Sequence, residues 1–437
     1  MTAAYHDEMR STMKKLLAAA LLFNSLSIQA DIYINCPRLL DGESETVHEN
    51  KTIQIDGTRI VAIHDGMLKG SDEDEQITFE DSTCMPGLID GHVHITSQQS
   101  PTRFVDKFKL DPADAVLAAV PYAERTLMIG FTTVRDLGSS NNLSISLRDA
   151  VNKGHIPGPR IFTAGKSLAT TGGHADPTNG TNQKLRGDPG PKEGVVNSPA
   201  DARKAVRQRY KDGADLIKIT ATGGVLSEAT SGQNSQFTVE ELEAIIAIAK
   251  DYGFKVAAHA HGTAGIKRAV AAGVDSIEHG TMMDLETMRL MKRKGTAYVP
   301  TVIAGKFVAE KAEIDGYFSE TVRPKARTIG PMIQETLAKA YKEGVHIVFG
   351  TDSGVSPHGD NWKEFVYMVE AGMAPIEALN SAMNIGAVLL GKESEIGTLE
   401  AGKLADVIAV RGNPVEDIKQ MEFVEFVMKD GRIYKQP

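Results

Sequence analysis

A long alternation through the middle of the chain limits its fold more than any other feature. Short apolar runs recur at 88–95, 132–135, 160–164, 216–220, 255–259, 276–279, 297–301 and 347–351. Longer stretches of helical periodicity lie between them, among them 112–129, 200–212, 239–252 and 263–272. Eight strands alternating with helices predict an α/β fold, a (β/α)8 TIM barrel over 86–395. An open doubly wound sheet is the alternative. No glycine-rich dinucleotide fingerprint follows a strand to favour it.

The flanks read differently. Residues 31–85 hold short alternating runs at Ile32 to Ile34, Thr52 to Ile55 and Arg59 to Ile63, with turns at Asp56-Gly57 and Asp65-Gly66. Residues 396–437 return to that style around Val407, Val424 to Met428 and the Asp430-Gly431 turn. Both ends are expected to form one small discontinuous β-sandwich domain beside the barrel. Upstream, Met13-Lys14-Lys15, the apolar run Leu16 to Phe23 and small Ala30 read as a signal peptide, preceded by an extension, over 1–30. This predicts export, to a periplasm or the exterior. That run is too short to span a bilayer, and no other stretch reaches about 18 apolar residues. Cys36 and Cys84 stand in no metal-binding spacing and are read as two small buried thiols, with a disulfide left open. The net charge is −9, with no basic stripe, which argues against nucleic acid as a partner.

Histidines gather at the ends of the apolar runs. His92 and His94 close the first, and side chains two apart on a strand share a face. Paired imidazoles suit a borderline ion such as zinc, although one pair at this spacing is weak evidence. His259 and His279 each end a later run, so four histidines converge on the face where such barrels carry chemistry. Lys218 alternates with Leu216 and Thr220 and is expected to face the lumen. Burial lowers the pKa of an ammonium, and a neutral amine can take up carbon dioxide as a carbamate. A lysine paired to a carboxylate is the plainer alternative. Asp352 ends the last run, where a carboxylate can bind a metal and take a proton. Capping the next helix would also suit it. The loop 170–199, rich in Gly, Asn, Asp and Pro, is too long for a plain connector and is expected to serve the site.

In this order, His92, His94, Lys218, His259, His279 and Asp352 resemble the binuclear amidohydrolase superfamily. Phe131-Thr-Thr-Val-Arg-Asp-Leu-Gly, Thr171-Gly-Gly-His, Gly223-Gly-Val-Leu-Ser and Ala258-His-Ala-His-Gly narrow the resemblance to its prolidase-like (Xaa-Pro) dipeptidases. Imidazolonepropionase-like enzymes share much of the same pattern. The resemblance implies two divalent ions, zinc by donor type. His92 and His94 would hold one, His259 and His279 the other, with N-carboxylated Lys218 bridging and Asp352 completing the first. It implies amide hydrolysis by a hydroxide between the ions, with Asp352 as the catalytic proton carrier and cleavage before the C-terminal residue of a dipeptide. His174 and His261 are then the substrate-binding candidates. Some relatives carry Tyr where His261 stands, which bears on substrate identity. Hydrolysis of a cyclic amide or lactone is the alternative reaction. A non-catalytic binding protein on the same fold is the alternative of another class, although all six ligand positions are filled. The expected partners are a small-molecule substrate and further copies of the chain, with no membrane span.

Overall fold

The computed structural model describes residues 30–437, so the expected leader, apart from Ala30, lies outside the described residues. The strands run in chain order as β1 (Ile32–Leu39), β2 (His48–Asp56), β3 (Arg59–Asp65), β4 (Glu75–Thr78) and β5 (Ser82–Pro86). Next come β6 (Leu88–Val93), β7 (Phe131–Asp136), β8 (Arg160–Thr163), β9 (Ile217–Thr220), β10 (Val256–Ala260), β11 (Ser276–His279) and β12 (Ala297–Val299). The last three are β13 (Val407–Arg411), β14 (Val424–Lys429) and β15 (Arg432–Lys435).

The two ends of the chain share one sheet, in the order β15-β14-β13-β5-β1-β2-β3, with β4 beside β1. Its halves join where β5 and β13 pair antiparallel, Cys84 opposite Ala409. Ile34, Ile53 and Ile55 from one end pack with Phe426 and Met428 from the other. The expected free thiols are corrected here: Cys36 and Cys84 form a disulfide, with Cα atoms 5.8 Å apart. β1 and β5 run side by side in parallel, which brings together two cysteines 48 residues apart. That pairing of strands cannot be read from spacing alone.

The middle of the chain contributes two parallel sheets, β6-β7-β8 and β12-β11-β10-β9. Nearly all of their residues are buried, as expected of parallel strands covered on both faces. Single parallel bridges link Leu168 to Ile219, Tyr298 to Ile347 and Val93 to Ser353. The strand expected at 347–351 is therefore an extended segment with isolated pairing. Tyr298 N–H donates to the His346 carbonyl at 2.8 Å, Gly91 N–H to Phe349 at 2.9 Å and Asp352 N–H to His92 at 2.7 Å. Gly350 lets the segment lie close against β12: a Cβ there would lie 2.3 Å from Val299 Cγ1.

Helices begin where capping chemistry places them. Asp111 and Asp114 make a reciprocal capping box before Pro112–Met128, with Pro112 at its first position. Thr238 and Glu241 do the same for Val239–Asp251, whose Leu242, Ile245 and Ala249 turn inward. Phe131, Phe349 and Phe365 stack in the main core, with centroids 5.3 and 4.2 Å apart along the series. The shared sheet is tied on through Asp406, which accepts from Arg160 at 2.7 Å and Thr132 at 3.2 Å. Both donors stand at the N-terminal ends of β7 and β8, so the opposite ends stay free for chemistry. Among the described residues, no helix is long and apolar enough to cross a membrane.

Candidate metal centre

The C-terminal ends of the parallel strands bring together most of the residues singled out above. His92 Nε2 and His94 Nε2 each lie 3.4 Å from Asp352 Oδ1. His92, His279 and Asp352 place one ligand atom each within 4.8 Å of one another, and so do His259, His261 and His279. The imidazoles form a continuous array, with centroid separations of 5.1 Å for His92–His279, 4.8 Å for His259–His279 and 4.3 Å for His174–His259. His174 reaches the array from the long 170–199 loop and packs on Gly224, where a Cβ would fall 2.2 Å from its ring. Lys218 on β9 is 4% exposed. No described carboxylate comes within ion-pair distance of its Nζ, so the plain ion-pair reading has no partner among the described residues.

Each ring is held from behind. His92 Nδ1 donates to Glu278 Oε2 at 2.9 Å, and His94 Nδ1 donates to the Gly138 carbonyl at 2.8 Å. His279 Nδ1 and His261 Nδ1 lie 2.7 Å from the hydroxyls of Thr301 and Thr281. His259 is turned the other way: its Nε2 donates to the Gly223 carbonyl at 3.1 Å, which leaves Nδ1 as its free lone pair. Bonds of this kind fix the tautomer and aim the remaining nitrogen. His92 Nε2 and Asp352 Oδ1 are buried without a hydrogen-bond partner. Buried polar atoms normally find one, so such orphans facing each other fit a cation. Backbone strain gathers at the same place. His279, Thr301 and Asp352 all adopt positive φ, at 68, 58 and 55°. A non-glycine residue accepts that conformation only where its surroundings enforce it.

Burial dominates the electrostatics. It drives the imidazoles of His92, His259 and His279 well below their ordinary pKa, with the Lys218 charge adding to the effect. His94, His174 and His261 are lowered to about 3, again by burial first. Neutral imidazoles keep the lone pairs that metal ligation needs. Burial also brings the Lys218 ammonium down to about 8, against the pull of Glu278 and Asp352. The Asp352 carboxyl is raised to about 7 by burial, with Lys218 opposing.

Two residues here were given no role from sequence. Glu278 is fully buried, and its second oxygen takes a 2.8 Å bond from Arg135 Nη2. Arg135 in turn donates to the Gly91 carbonyl at 2.6 Å, one residue before His92. Glu278 stands beside Ser276 on one face of β11, and an acid inside an apolar strand was the available signal. His261 was assigned to substrate rather than metal, and its ring lies in the same buried cluster, with one ligand-type atom within 4.8 Å of those of His259 and His279.

Imidazoles and a carboxylate gathered where parallel strands end define a class, that of metal-binding hydrolases of α/β architecture. Within that class the chain belongs to the amidohydrolase family, whose model matches residues 83–434. It is similar to a crystal structure of a Xaa-Pro dipeptidase with methionine bound in the active site, at 54% identity and a TM-score of 0.90. That match covers 93% of this chain and 100% of the other. It is similar to the ochratoxinase of Aspergillus niger, 32% identical over 380 residues, 83% of this chain and 78% of the relative. The imidazolonepropionase of Sphingopyxis alaskensis is 28% identical over 212 residues, 45% of this chain and 46% of the relative.

Proposed function

We propose that this protein is a zinc-dependent dipeptidase that cleaves the amide bond before a free C-terminal residue. The observation that carries this reading is the buried, partnerless pair of His92 Nε2 and Asp352 Oδ1 among converging imidazoles. The 54% identity to a Xaa-Pro dipeptidase supports the substrate class. In this reading His92, His94 and Asp352 would hold one ion and His259 and His279 the second, with Lys218, once carboxylated, offering an oxygen donor between them. When bound, two such ions supply a nucleophilic water at neutral pH and polarise the scissile carbonyl. Asp352 takes the proton from the attacking water and delivers it to the leaving nitrogen. Glu278 and the threonine hydroxyls keep the rings in place throughout. The bridges at Leu168, Ile347 and Ser353 support a closed (β/α)8 barrel over 86–395, with 31–85 and 396–437 as its discontinuous β domain. A disulfide suits an oxidising compartment, which supports export after cleavage near Ala30.

A dipeptidase must fix the terminal carboxylate, or the carbonyl misses its nucleophile. His174 and His261 are the donors for that carboxylate, and a hydrogen bond to a charged group is worth about 1.5–3 kcal/mol. His174→Ala and His261→Ala should each lower kcat/KM on free-acid dipeptides by roughly 10- to 150-fold and change little on the matched amides. Equal losses on acid and amide, at unchanged metal content, would refute carboxylate recognition. Cyclic amides and lactones belong in the same assay, since turnover of those alone would favour an imidazolonepropionase-like reaction.

A further inference from the structure

Lys325, on the helix Val322–Ile329, is 8% exposed. Its Nζ donates to the carbonyls of Gly224 at 3.1 Å, Ser227 at 2.6 Å and Ala229 at 2.6 Å. All three ammonium protons are thus used, and none goes to a carboxylate. Buried lysines are ordinarily paired with an acid. Carbonyl dipoles solvate a cation without cancelling its charge, so a positive charge stands under this loop, with the Glu228 carboxylate nearby but not bonded to it.

The loop leads directly to the site. The Gly223 carbonyl holds His259, and Gly224 forms the surface on which the His174 ring lies. Lys325 Nζ is thus one hydrogen bond from Gly224, the residue on which the His174 ring packs, and Gly224 adjoins the Gly223 carbonyl that holds His259. Of the two rings assigned to a substrate carboxylate, His174 is the one that Lys325 backs through Gly224.

We propose that Lys325 is a positioning residue that sets charge specificity: it clamps the 223–232 loop against His174 and His259 and supplies the positive potential that selects substrates with an anionic terminal group. This rests on the dipeptidase reading and adds the residue that gives the site its preference for acid over amide. Glu228 tunes it, because its nearby carboxylate favours the charged lysine while offsetting the field.

The test compares kcat and KM on matched free-acid and amide dipeptides for wild type, Lys325→Gln, Lys325→Arg and Glu228→Gln, with metal content measured in each. Lys325→Gln should raise KM for the acid on the order of tenfold, with kcat, metal content and the amide reaction little changed. Lys325→Arg should keep the acid preference. Glu228→Gln should move the acid-to-amide ratio the other way, by about twofold. If Lys325→Gln weakens acid and amide by one factor, Lys325 only supports the fold and the proposal fails. Should Lys325→Gln not fold, the Glu228→Gln ratio decides, and an unchanged ratio overturns the proposal. A wild type that prefers the acid, with the same preference in Lys325→Gln, overturns the role of Lys325 alone. A wild type indifferent to the terminal carboxylate overturns the dipeptidase reading together with it.

Discussion

Glu278 links Arg135 to His92, so its charge is shared between a structural cation and a ligand ring. Glu278→Gln should weaken metal binding about 10- to 100-fold, as loss of such outer partners commonly does. It should also destabilise the protein, because Arg135 would be left buried without an ionic partner, a loss of about 3–5 kcal/mol in comparable pairs. Chelator competition and urea unfolding read the two effects, and unchanged values in both would remove Glu278 from the site's machinery. Lys218 offers a sharper test. Lys218→Ala should lose metal and activity together, with partial return on adding short carboxylic acids. Lys218→Arg should rescue neither, since a guanidinium stays charged; an active Arg variant would favour a plain cationic role. The gathering of His92 and His94 was legible because period-2 spacing at a strand end puts both rings on one face. Glu278 could be noticed as an acid within an apolar strand, but its role could not be read, because its partner Arg135 lies on a strand 143 residues away.

The helix Val302–Lys311 begins at Thr301, whose left-handed backbone leaves the first N–H groups without a local cap. Glu364 supplies one from a distance, accepting from Val302 at 2.8 Å and Ile303 at 2.7 Å. Burial raises its carboxyl to about 8, against the two N–H bonds that favour the charged form. A carboxyl with a raised folded pKa binds its proton in the native state while the unfolded chain has released it. The slope is therefore negative: its contribution is fullest below about pH 4.5 and is lost as pH rises through about 8. Unfolding free energies of wild type and Glu364→Gln, compared between pH 5 and pH 8.5, should diverge by that trend; parallel curves would contradict it. Caps of this kind escape sequence reading, because Glu364 lies 62 residues from the Val302 N–H it caps, whereas the boxes at Thr238 and Asp111 join residues three apart. The disulfide belongs to this scale too. Removing it with Cys36→Ser and Cys84→Ser should cost about 2–4 kcal/mol, as cross-links usually do, with little effect on turnover of the folded enzyme. Denaturant midpoints alongside kcat would show it.

Across the whole molecule, the purified protein should carry about two divalent ions per chain, and stripping them should lower Tm by mass action. A value near zero in active protein, by elemental analysis, would sink the metal reading. The α/β class, the parallel strands and the separate β style of both ends were all legible, because apolar runs and turn pairs are local signals. The order of strands in the shared sheet was not, since it depends on which distant edges meet. That sheet has a consequence for the protein's birth. Strand β5 finds its neighbour β13 only after more than three hundred further residues have been made, so the sheet cannot finish during synthesis. Until then β5 presents an unpaired edge, the kind of surface on which nascent chains misassociate. A transcript truncated before Val407 should therefore give chains that aggregate or are degraded, however complete the parallel sheets are, and folding should be slow for its length because its closing contact spans most of the sequence.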